Sequence, residues 1–423
     1  SDSSAKVWNF KIRQGVKFHD GSPLTADDVV YTYQYHTNPK NGSEALSAFS
    51  GVLTNSGVTK VDDYTVQFAL EAPNGNFPYL CSSDNYNMII LPNGYDPADW
   101  QKSFIGTGPW AMQSYHTGVG ATFTRNDDYW GAKAKPAGSQ FTFFETTPPS
   151  VLALVGNTID VLGQFSVSGG QAILDDTSKY NVIKLSSSAH RELSMRCDLA
   201  PFNDARVRQA IALTLNRPGL VQALFSGYAD LGNDSPFAPV FPSTAKLPQR
   251  NVDIAKAKAL LAAAGHPNGF STQLYTENIQ EIPQLAAFVG QAAAQINVSI
   301  DLNVDPQNVY YSKYWLTGTM SLVDYGNRSV PNVFLTAPLT SKGPWNAAHF
   351  KSSTYDGLVA QYVAAVDLST QRGLAKKIEQ LLLDETPIIY PYFYDYLSAT
   401  QKNVQGAYPT AIGHIFVNNV TIS

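Results

Sequence analysis

The chain has 423 residues, of which 44% are hydrophobic and 15% are charged, and its formal net charge is -5. At roughly 150 residues per domain, this length predicts two or three domains, and the composition excludes a disordered chain. The 29 basic residues are spread along the sequence, which indicates no nucleic-acid partner and no polybasic membrane patch. No apolar run approaches the roughly 20 residues that a transmembrane helix needs.

The predicted elements of the first half are mainly strands. Alternating apolar residues within 7–18 predict a strand, and Thr25 with Asp28 forms a capping box that begins a helix. Further strand pairs are predicted near 57–70 and 110–125.

From residue 203 onward the pattern becomes helical. Helix starts are predicted at Asn203-Asp204, at Pro218 and at Asp253. A helix near 283–296 leads into a strand over 298–304, and a helix over 370–384 precedes an aromatic strand. This helix-then-strand order predicts an α/β layer.

Signals for metal sites and catalysis are weak. Cys81 and Cys197 are too few for a disulfide framework or a zinc site, although one bridge between them stays open. The seven histidines are isolated and there is no Gly-rich phosphate loop, so we expect no metal and no cofactor.

Short motifs of serine–lysine hydrolases do occur. Ser3-x-x-Lys6 and Ser243-x-x-Lys246 match the serine–lysine pair, and Ser83-Asp84-Asn85 matches the β-lactamase triplet. The sequence has no Lys-Thr-Gly segment to complete them, and Ser243 lies between two prolines. We therefore predict that the chain is not an enzyme, and a serine–lysine hydrolase is the alternative of another class.

Longer motifs are spread along the chain from residue 8 to residue 358. They are WNFKIRQGVKFHDGSPLTADDVVYTYQY (8–35), GTGPW (106–110), RNDDYWG (125–131), VGNTID (155–160), PFNDARVRQAIALTLNR (201–217), DIAKAKALLAAAGHPNGF (253–270) and WNAAHFKSSTYDGL (345–358). In this order they resemble the family 5 extracellular solute-binding proteins of bacterial ABC importers.

The resemblance implies a two-lobed α/β fold of the periplasmic-binding-protein type (type II) with an extra insert domain. It assigns 1–103 to the insert domain of the first lobe, 104–198 with 395–423 to the core of that lobe, and 201–394 to the second lobe. Relatives carry early strands of the first lobe before the motif at Trp8. We expect those strands to be missing here, through truncation or because they come from elsewhere.

The resemblance also implies a function. The protein is expected to capture a peptide-like solute by hinge closure and to deliver it to the membrane subunits of an ABC permease. It is expected to be a monomer in the periplasm or at the cell surface, with its signal peptide absent from this sequence. Relatives also carry opines, oligosaccharides or nickel complexes, so a non-peptide solute remains an alternative.

The ligand residues are implied by position in the family. In the oligopeptide-binding branch, an aspartate in a W-x-x-D-Y-like segment pairs with the α-amino group of the peptide. The segment SLVDYGNRSVPNVFL places Asp324 at that position, with Tyr325 after it, and a strand-end or turn carboxylate is the alternative for Asp324. Arg328 is expected either to hold a ligand carboxylate or to pair with Asp324. Trp345 and Asn346 are expected to line the ligand site, with core packing as the alternative for Trp345.

Overall fold

The computed structural model describes residues 1–2, 4–43, 45–83, 85, 88–100 and 104–423. It divides into two compact units. The first unit contains Ser1–Ile183 and Leu397–Ser423, and the second contains Lys184–Tyr396. The chain therefore passes between the units twice, after Ile183 and after Tyr396.

Strands and helices alternate along much of the described chain. The strands are β1 (Val7–Lys11), β2 (Val58–Asp62), β3 (Thr65–Ala69), β4 (Trp110–His116), β5 (Gly120–Arg125), β6 (Gly138–Thr142), β7 (Val161–Phe165), β8 (Tyr180–Leu185), β9 (His190–Met195), β10 (Ala229–Leu231), β11 (Phe270–Glu277), β12 (Val298–Asp305), β13 (Met320–Tyr325), β14 (Ile388–Ile389), β15 (Tyr392–Tyr394), β16 (Tyr396–Gln401), β17 (Val404–Gln405), β18 (Tyr408–Pro409), β19 (Ile415–Phe416) and β20 (Thr421–Ile422). The α-helices are α1 (Ala26–His36), α2 (Leu46–Phe49), α3 (Phe77–Leu80), α4 (Thr147–Val155), α5 (Gln171–Leu174), α6 (Ala205–Ala212), α7 (Arg217–Phe225), α8 (Ile254–Ala263), α9 (Ile282–Ala294), α10 (Gln307–Lys313), α11 (Asn332–Thr336), α12 (Ser353–Ala364) and α13 (Leu368–Glu385). Short 3-10 turns occupy Pro39–Asn41, Asn55–Gly57 and Pro97–Asp99.

The first unit is built from small sheets. Its three-stranded sheets have the orders β1-β3-β2, β4-β5-β6 and β7-β16-β8. Helix α1 packs on the first of these sheets over buried aromatic residues that include Tyr33, Phe68 and Phe77. The carboxylate of Asp28 accepts the backbone N–H of Thr25 at 2.7 Å, so the predicted capping box is confirmed.

The second unit is organised on one mixed sheet. Its strand order is β10-β15-β9-β13-β11-β12, and β14 also pairs with β9. Strand β11 is parallel to β12 and β13, whereas β9 is antiparallel to β13. Three strand ends therefore lie side by side at one end of the sheet: the C-terminal ends of β11 and β13 and the N-terminal end of β9. Helix α9 packs against both β11 and β12, which confirms the predicted α/β layer.

The predicted helix starts agree with the observed caps. The side chains of Asp204 and Asp253 accept backbone N–H groups at the starts of α6 and α8. The strand predicted within 7–18 is shorter than expected and ends at Lys11. Gly15 has a φ of +78°, which turns the chain, and Lys17 then pairs only in an isolated bridge with Pro23.

The predicted division into 1–103, 104–198 with 395–423, and 201–394 stays a prediction. Its boundaries differ from the two units at residues 184–198 and 395–396, which lie in the second unit. The reason is that β9 pairs with β13 and β15 of the second unit's sheet. The boundary at residue 103 falls outside the described residues.

The two cysteines lie in different units. Both are free thiols, so the bridge between them that the sequence left open is not formed. Burial raises the pKa of Cys81 to about 12 and that of Cys197 to about 11. Both groups are therefore neutral thiols at physiological pH.

Glu379 is a carboxylic acid on the buried side of α13. The residue is only 4% exposed, and its carboxyl group accepts the backbone N–H of Ala245 at 2.8 Å. Burial raises the pKa of Glu379 from its ordinary value of 4.5 to about 7. The folded protein thus binds a proton here over a pH range in which the unfolded chain has lost it.

This group should make stability depend on pH. The stability associated with neutral Glu379 is fully present below pH 4.5 and is lost as the pH rises through 7. Between pH 4.5 and 8 we expect the wild type to lose roughly 3 kcal/mol relative to Glu379→Gln, measured by urea unfolding. The control Asp384→Asn, at an exposed position of the same helix, should keep the wild-type dependence. Identical pH profiles for the wild type and Glu379→Gln would contradict the assignment.

Candidate functional site

Asp324 lies near the C-terminal end of β13. Its side chain is 27% exposed, and Oδ1 accepts hydrogen bonds from the Arg191 guanidinium and, at 3.2 Å, from the Tyr394 hydroxyl. The strand register places Asp324 directly opposite Arg191 of β9. No described residue bonds to Oδ2, so this oxygen remains available to a partner from outside the protein.

Arg191 is the buried cation of this site. Its side chain is 0% exposed, and Nε and Nη2 donate to the two carboxylate oxygens of Glu281 at 2.8 and 3.0 Å. Nη2 also donates to Gln280 at 2.6 Å, and the guanidinium lies 4.5 Å from the ring centroid of Tyr394. Burial alone would lower the pKa of Arg191, but the carboxylates of Glu281 and Asp324 raise it well above its ordinary value.

Glu277 ends β11 beside Asp324. Its carboxylate accepts the Gln307 amide at 2.9 Å, the backbone N–H of Asp324 at 3.3 Å and the Tyr311 hydroxyl at 3.4 Å. These donors are neutral, and burial raises the pKa of Glu277 above its ordinary value. We call Glu277, Glu281 and Asp324, with Arg191 between them, the carboxylate cluster.

The position of the cluster follows from the sheet. In α/β sheets, ligands commonly bind beyond the carboxyl ends of the parallel strands, where side chains from neighbouring strands meet. Glu277 and Asp324 occupy that position on β11 and β13, and Arg191 reaches it from the start of β9. Within the described part of the chain, no three His, Cys, Asp or Glu side chains are grouped so that they could hold a metal ion.

Two predicted ligand residues lie together in a different environment. The rings of Tyr325 and Trp345 stack with centroids 5.7 Å apart, and Phe334 meets Tyr325 edge-on. Neighbouring residues of a strand point to opposite faces, so Tyr325 faces away from Asp324. The packing favours core residues, and the ligand role of Tyr325 and Trp345 stays a prediction.

Arg328 is exposed in the segment after β13. Its backbone is fixed by Ser188, whose Oγ accepts from the Arg328 N–H at 2.8 Å and donates to its carbonyl at 2.7 Å. Its guanidinium donates to the Asn327 carbonyl. Of the two expected roles, pairing with Asp324 is not observed, because Arg191 supplies the cation at that carboxylate. A role on a ligand carboxylate stays a prediction.

Asn346 holds its own loop together. Its amide donates to the carbonyls of Thr340 and Phe350 at 3.0 and 2.8 Å, and its oxygen accepts the Phe350 N–H at 3.0 Å. Both donors and one acceptor position are therefore used by the backbone. The predicted contact of Asn346 with a ligand stays a prediction.

These bonds predict a structural effect of mutation. We expect Asn346→Ala to lower the free energy of unfolding by about 2 kcal/mol, because backbone groups lose their partners. Urea unfolding measures the loss, and Lys342→Ala, at an exposed position of the same loop, should change stability little. An unchanged stability combined with weaker ligand binding would instead support the ligand role.

The sequence analysis missed most of the carboxylate cluster. The sequence patterns do not indicate Arg191, Glu277 or Glu281, and they predict the segment with Tyr394 only as an aromatic strand. One signal was present in the sequence: His190-Arg191-Glu192 is a run of three titratable residues, and the strand that they begin is buried along its whole length. Buried charges of this kind require partners, which marks the strand as unusual.

A family comparison decides what kind of protein this is. The model of the bacterial extracellular solute-binding proteins, family 5 (middle region), matches residues 1–347. That match covers most of the chain. The chain belongs to this family. The resemblance given by the sequence motifs is therefore confirmed.

This solute-binding protein matches its relatives over most of their length. It is 25% identical over 422 residues to the glutathione-binding protein GsiB of Pectobacterium atrosepticum, covering 96% of this chain and 81% of the relative. Among solved structures, HbpA2 of Haemophilus parasuis matches with a TM-score of 0.86 and 23% identity, covering 100% of this chain and 89% of that one. A dipeptide-binding protein of a Pseudoalteromonas species, in complex with Met-Leu, matches with a TM-score of 0.75 and 18% identity, with the same coverages. At these sequence identities the two structures provide evidence for the fold alone. The predicted two-lobed α/β class is confirmed.

Proposed function

We propose that this solute-binding protein captures a peptide-like solute through its free α-ammonium group and passes it to an ABC permease. The observation that carries the proposal is that no described residue bonds to Oδ2 of Asp324, on a partly exposed carboxylate that Arg191 and Tyr394 hold through Oδ1. The names of the relatives support the chemical class, since one binds glutathione and another was solved with Met-Leu. Both of those ligands carry a free ammonium and a carboxylate.

The electrostatics favour a cationic ligand group. With all groups charged, the cluster contains three carboxylates and one guanidinium, an excess of two negative charges. A partly buried carboxylate attracts an ammonium more strongly than it would in bulk water, because the surrounding protein screens the interaction less. The ligand ammonium would therefore supply charge that the protein itself does not provide.

Arg328 is the proposed partner of the ligand carboxylate. Its exposed side chain follows Asp324 closely in sequence, and its main chain is anchored on Ser188. A guanidinium offers two parallel N–H groups that match a carboxylate. The two ends of a short peptide would thus meet opposite charges.

We further propose that the protein binds without catalysing a reaction. Ser243 is buried and its Oγ is 2.7 Å from the Tyr362 hydroxyl, whereas Lys246 is exposed. This arrangement is unlike a serine nucleophile activated by a neighbouring lysine. Ser3 and Asp84, from the other two motifs, lie outside the described residues.

An extracytoplasmic location and a monomeric state complete the proposal. The location is supported by the family, whose description is extracellular. The described ranges contain no helix that has both the length and the apolar character required to span a bilayer.

Replacing Asp324 tests the ammonium site. Asp324→Asn removes the charge and keeps the shape, so we expect Met-Leu to bind roughly 30-fold more weakly by calorimetry, a loss of about 2 kcal/mol. The same substitution should leave the binding of N-acetyl-Met-Leu nearly unchanged, because that ligand has no ammonium. Glutathione provides a second test ligand with a free ammonium.

The matched control is Asp301→Asn, at an exposed position on β12 of the same sheet. It changes the net charge equally but should leave both affinities at the wild-type level. Arg328→Ala should weaken binding of Met-Leu and spare its C-terminal amide. Wild-type affinity of Asp324→Asn for a free-amine ligand would rule out the proposed contact.

Hinge closure, implied by the family, belongs to the same proposal. A ligand can shift the protein toward a closed state only if it binds that state more tightly. We expect the radius of gyration, measured by small-angle X-ray scattering, to fall when a bound peptide saturates the protein. An unchanged radius for a free protein shown by spin-label distances to be open would contradict closure.

A further inference from the structure

Arg191 forms different numbers of hydrogen bonds with the carboxylates of the carboxylate cluster. Its fork binds both oxygens of Glu281, whereas only Oδ1 of Asp324 is engaged. The Tyr394 hydroxyl donates to the same Oδ1, and the Tyr394 ring lies against the guanidinium. Two groups therefore fix one oxygen of Asp324, and no described residue bonds to the other oxygen of this partly exposed carboxylate.

The burial of Arg191 makes this arrangement rigid. The guanidinium is 0% exposed and uses Nε, Nη1 and Nη2 in hydrogen bonds to Glu281, Gln280 and Asp324. A buried ion that lost these partners would be strongly destabilised, so its side chain cannot leave without a large cost. Asp324 is consequently held by a fixed group, and its carboxylate has little freedom to rotate.

We infer that Arg191 is a positioning residue that selects Oδ2 of Asp324 as the oxygen which receives the ligand ammonium. This inference rests on the proposed function. Arg191 does not touch the ligand; it cancels the charge of Glu281 and orients Asp324. The site then presents one oriented carboxylate oxygen without a protein partner to the ammonium, and binding is selective because that geometry is formed before the ligand arrives.

The shape of the guanidinium is essential to this role. A lysine in the same place would keep the positive charge, but its single nitrogen cannot form the two-bonded contact with Glu281 and also reach Asp324 and Gln280 in one plane. It would also lose the stacking on Tyr394. Arg191→Lys therefore changes geometry while conserving charge, which separates positioning from simple electrostatics.

The experiment measures a ratio of affinities. Calorimetry gives the affinity for Met-Leu divided by that for N-acetyl-Met-Leu, which reports ammonium recognition alone. In Arg191→Lys we expect this ratio to fall about tenfold relative to the wild type. Arg217→Lys is the matched control, since Arg217 is 1% exposed and its guanidinium lies 2.6 Å from the carboxylate of Asp234. Neither residue belongs to the carboxylate cluster. This control should cost comparable stability and leave the ratio unchanged.

A second variant covers the case in which Arg191→Lys does not fold. Tyr394→Phe removes the hydroxyl bond to Asp324 and keeps the ring against Arg191, and we expect the ratio to fall about threefold. If Arg191→Lys folds and keeps the wild-type ratio of affinities, the inference is overturned. If only Tyr394→Phe folds, a wild-type ratio in that variant overturns it. Either result leaves the proposed function intact. If the wild type itself does not prefer the free amine, the proposed function fails and the inference fails with it.

Discussion

The buried guanidinium of Arg191 ties several elements of the second unit together. A cation that is 0% exposed needs carboxylates and acceptors around it, and the fold supplies them from the segment before α9, from β13 and from β15. Leaving such a charge unpaired would cost several kcal/mol. The need of the Arg191 guanidinium for partners thus links the positions of Glu281, Asp324 and Tyr394. The geometry of the candidate site follows from this need.

The same strand carries a second polar network on its opposite face. His190 lies among aromatic rings, including Phe334 at 4.7 Å and Tyr390 at 5.1 Å between centroids. Glu192 accepts from the Tyr390 hydroxyl at 3.0 Å and lies 3.2 Å from His190 Nε2. A register slip of one residue would move Arg191 into this aromatic environment and break both networks. The alternation of β9 therefore fixes the register on which the pairing of Arg191 with Asp324 depends.

Local signals in the sequence predicted much of the fold. The capping residues Thr25, Asp204 and Asp253 act on backbone groups within the same turn, so their patterns are readable without tertiary information. The pairing of Arg191 with Asp324 spans 133 positions and leaves no local pattern. This is why the family resemblance indicated Asp324 while its fixed partner was missed.

Tyr325 is a residue whose side-chain direction follows from strand geometry and not from the family motif. Asp324 and Tyr325 were both predicted to contact ligand because they are adjacent in the family segment. Once the segment is recognised as a strand, alternation allows only one of them to face the carboxylate cluster. The buried stacking of Tyr325 on Trp345 agrees with that rule. The sequence contained this information, but only together with the assignment of β13.

The chain segments that leave the second unit also carry part of the site. Lys184 is its first residue, and the Lys184 ammonium lies 3.0 Å from the carboxylate of Asp395, whose side chain is fully buried. Tyr394 precedes Asp395, and its backbone N–H donates to the Ala189 carbonyl at 2.9 Å. The Tyr394 carbonyl accepts from the Ser187 hydroxyl at 2.6 Å. Asp395, between β15 and β16, meets Lys184, whereas Tyr394 at the end of β15 meets Asp324. One short stretch thus links the two crossing segments to each other and also contacts the carboxylate proposed to bind the ligand.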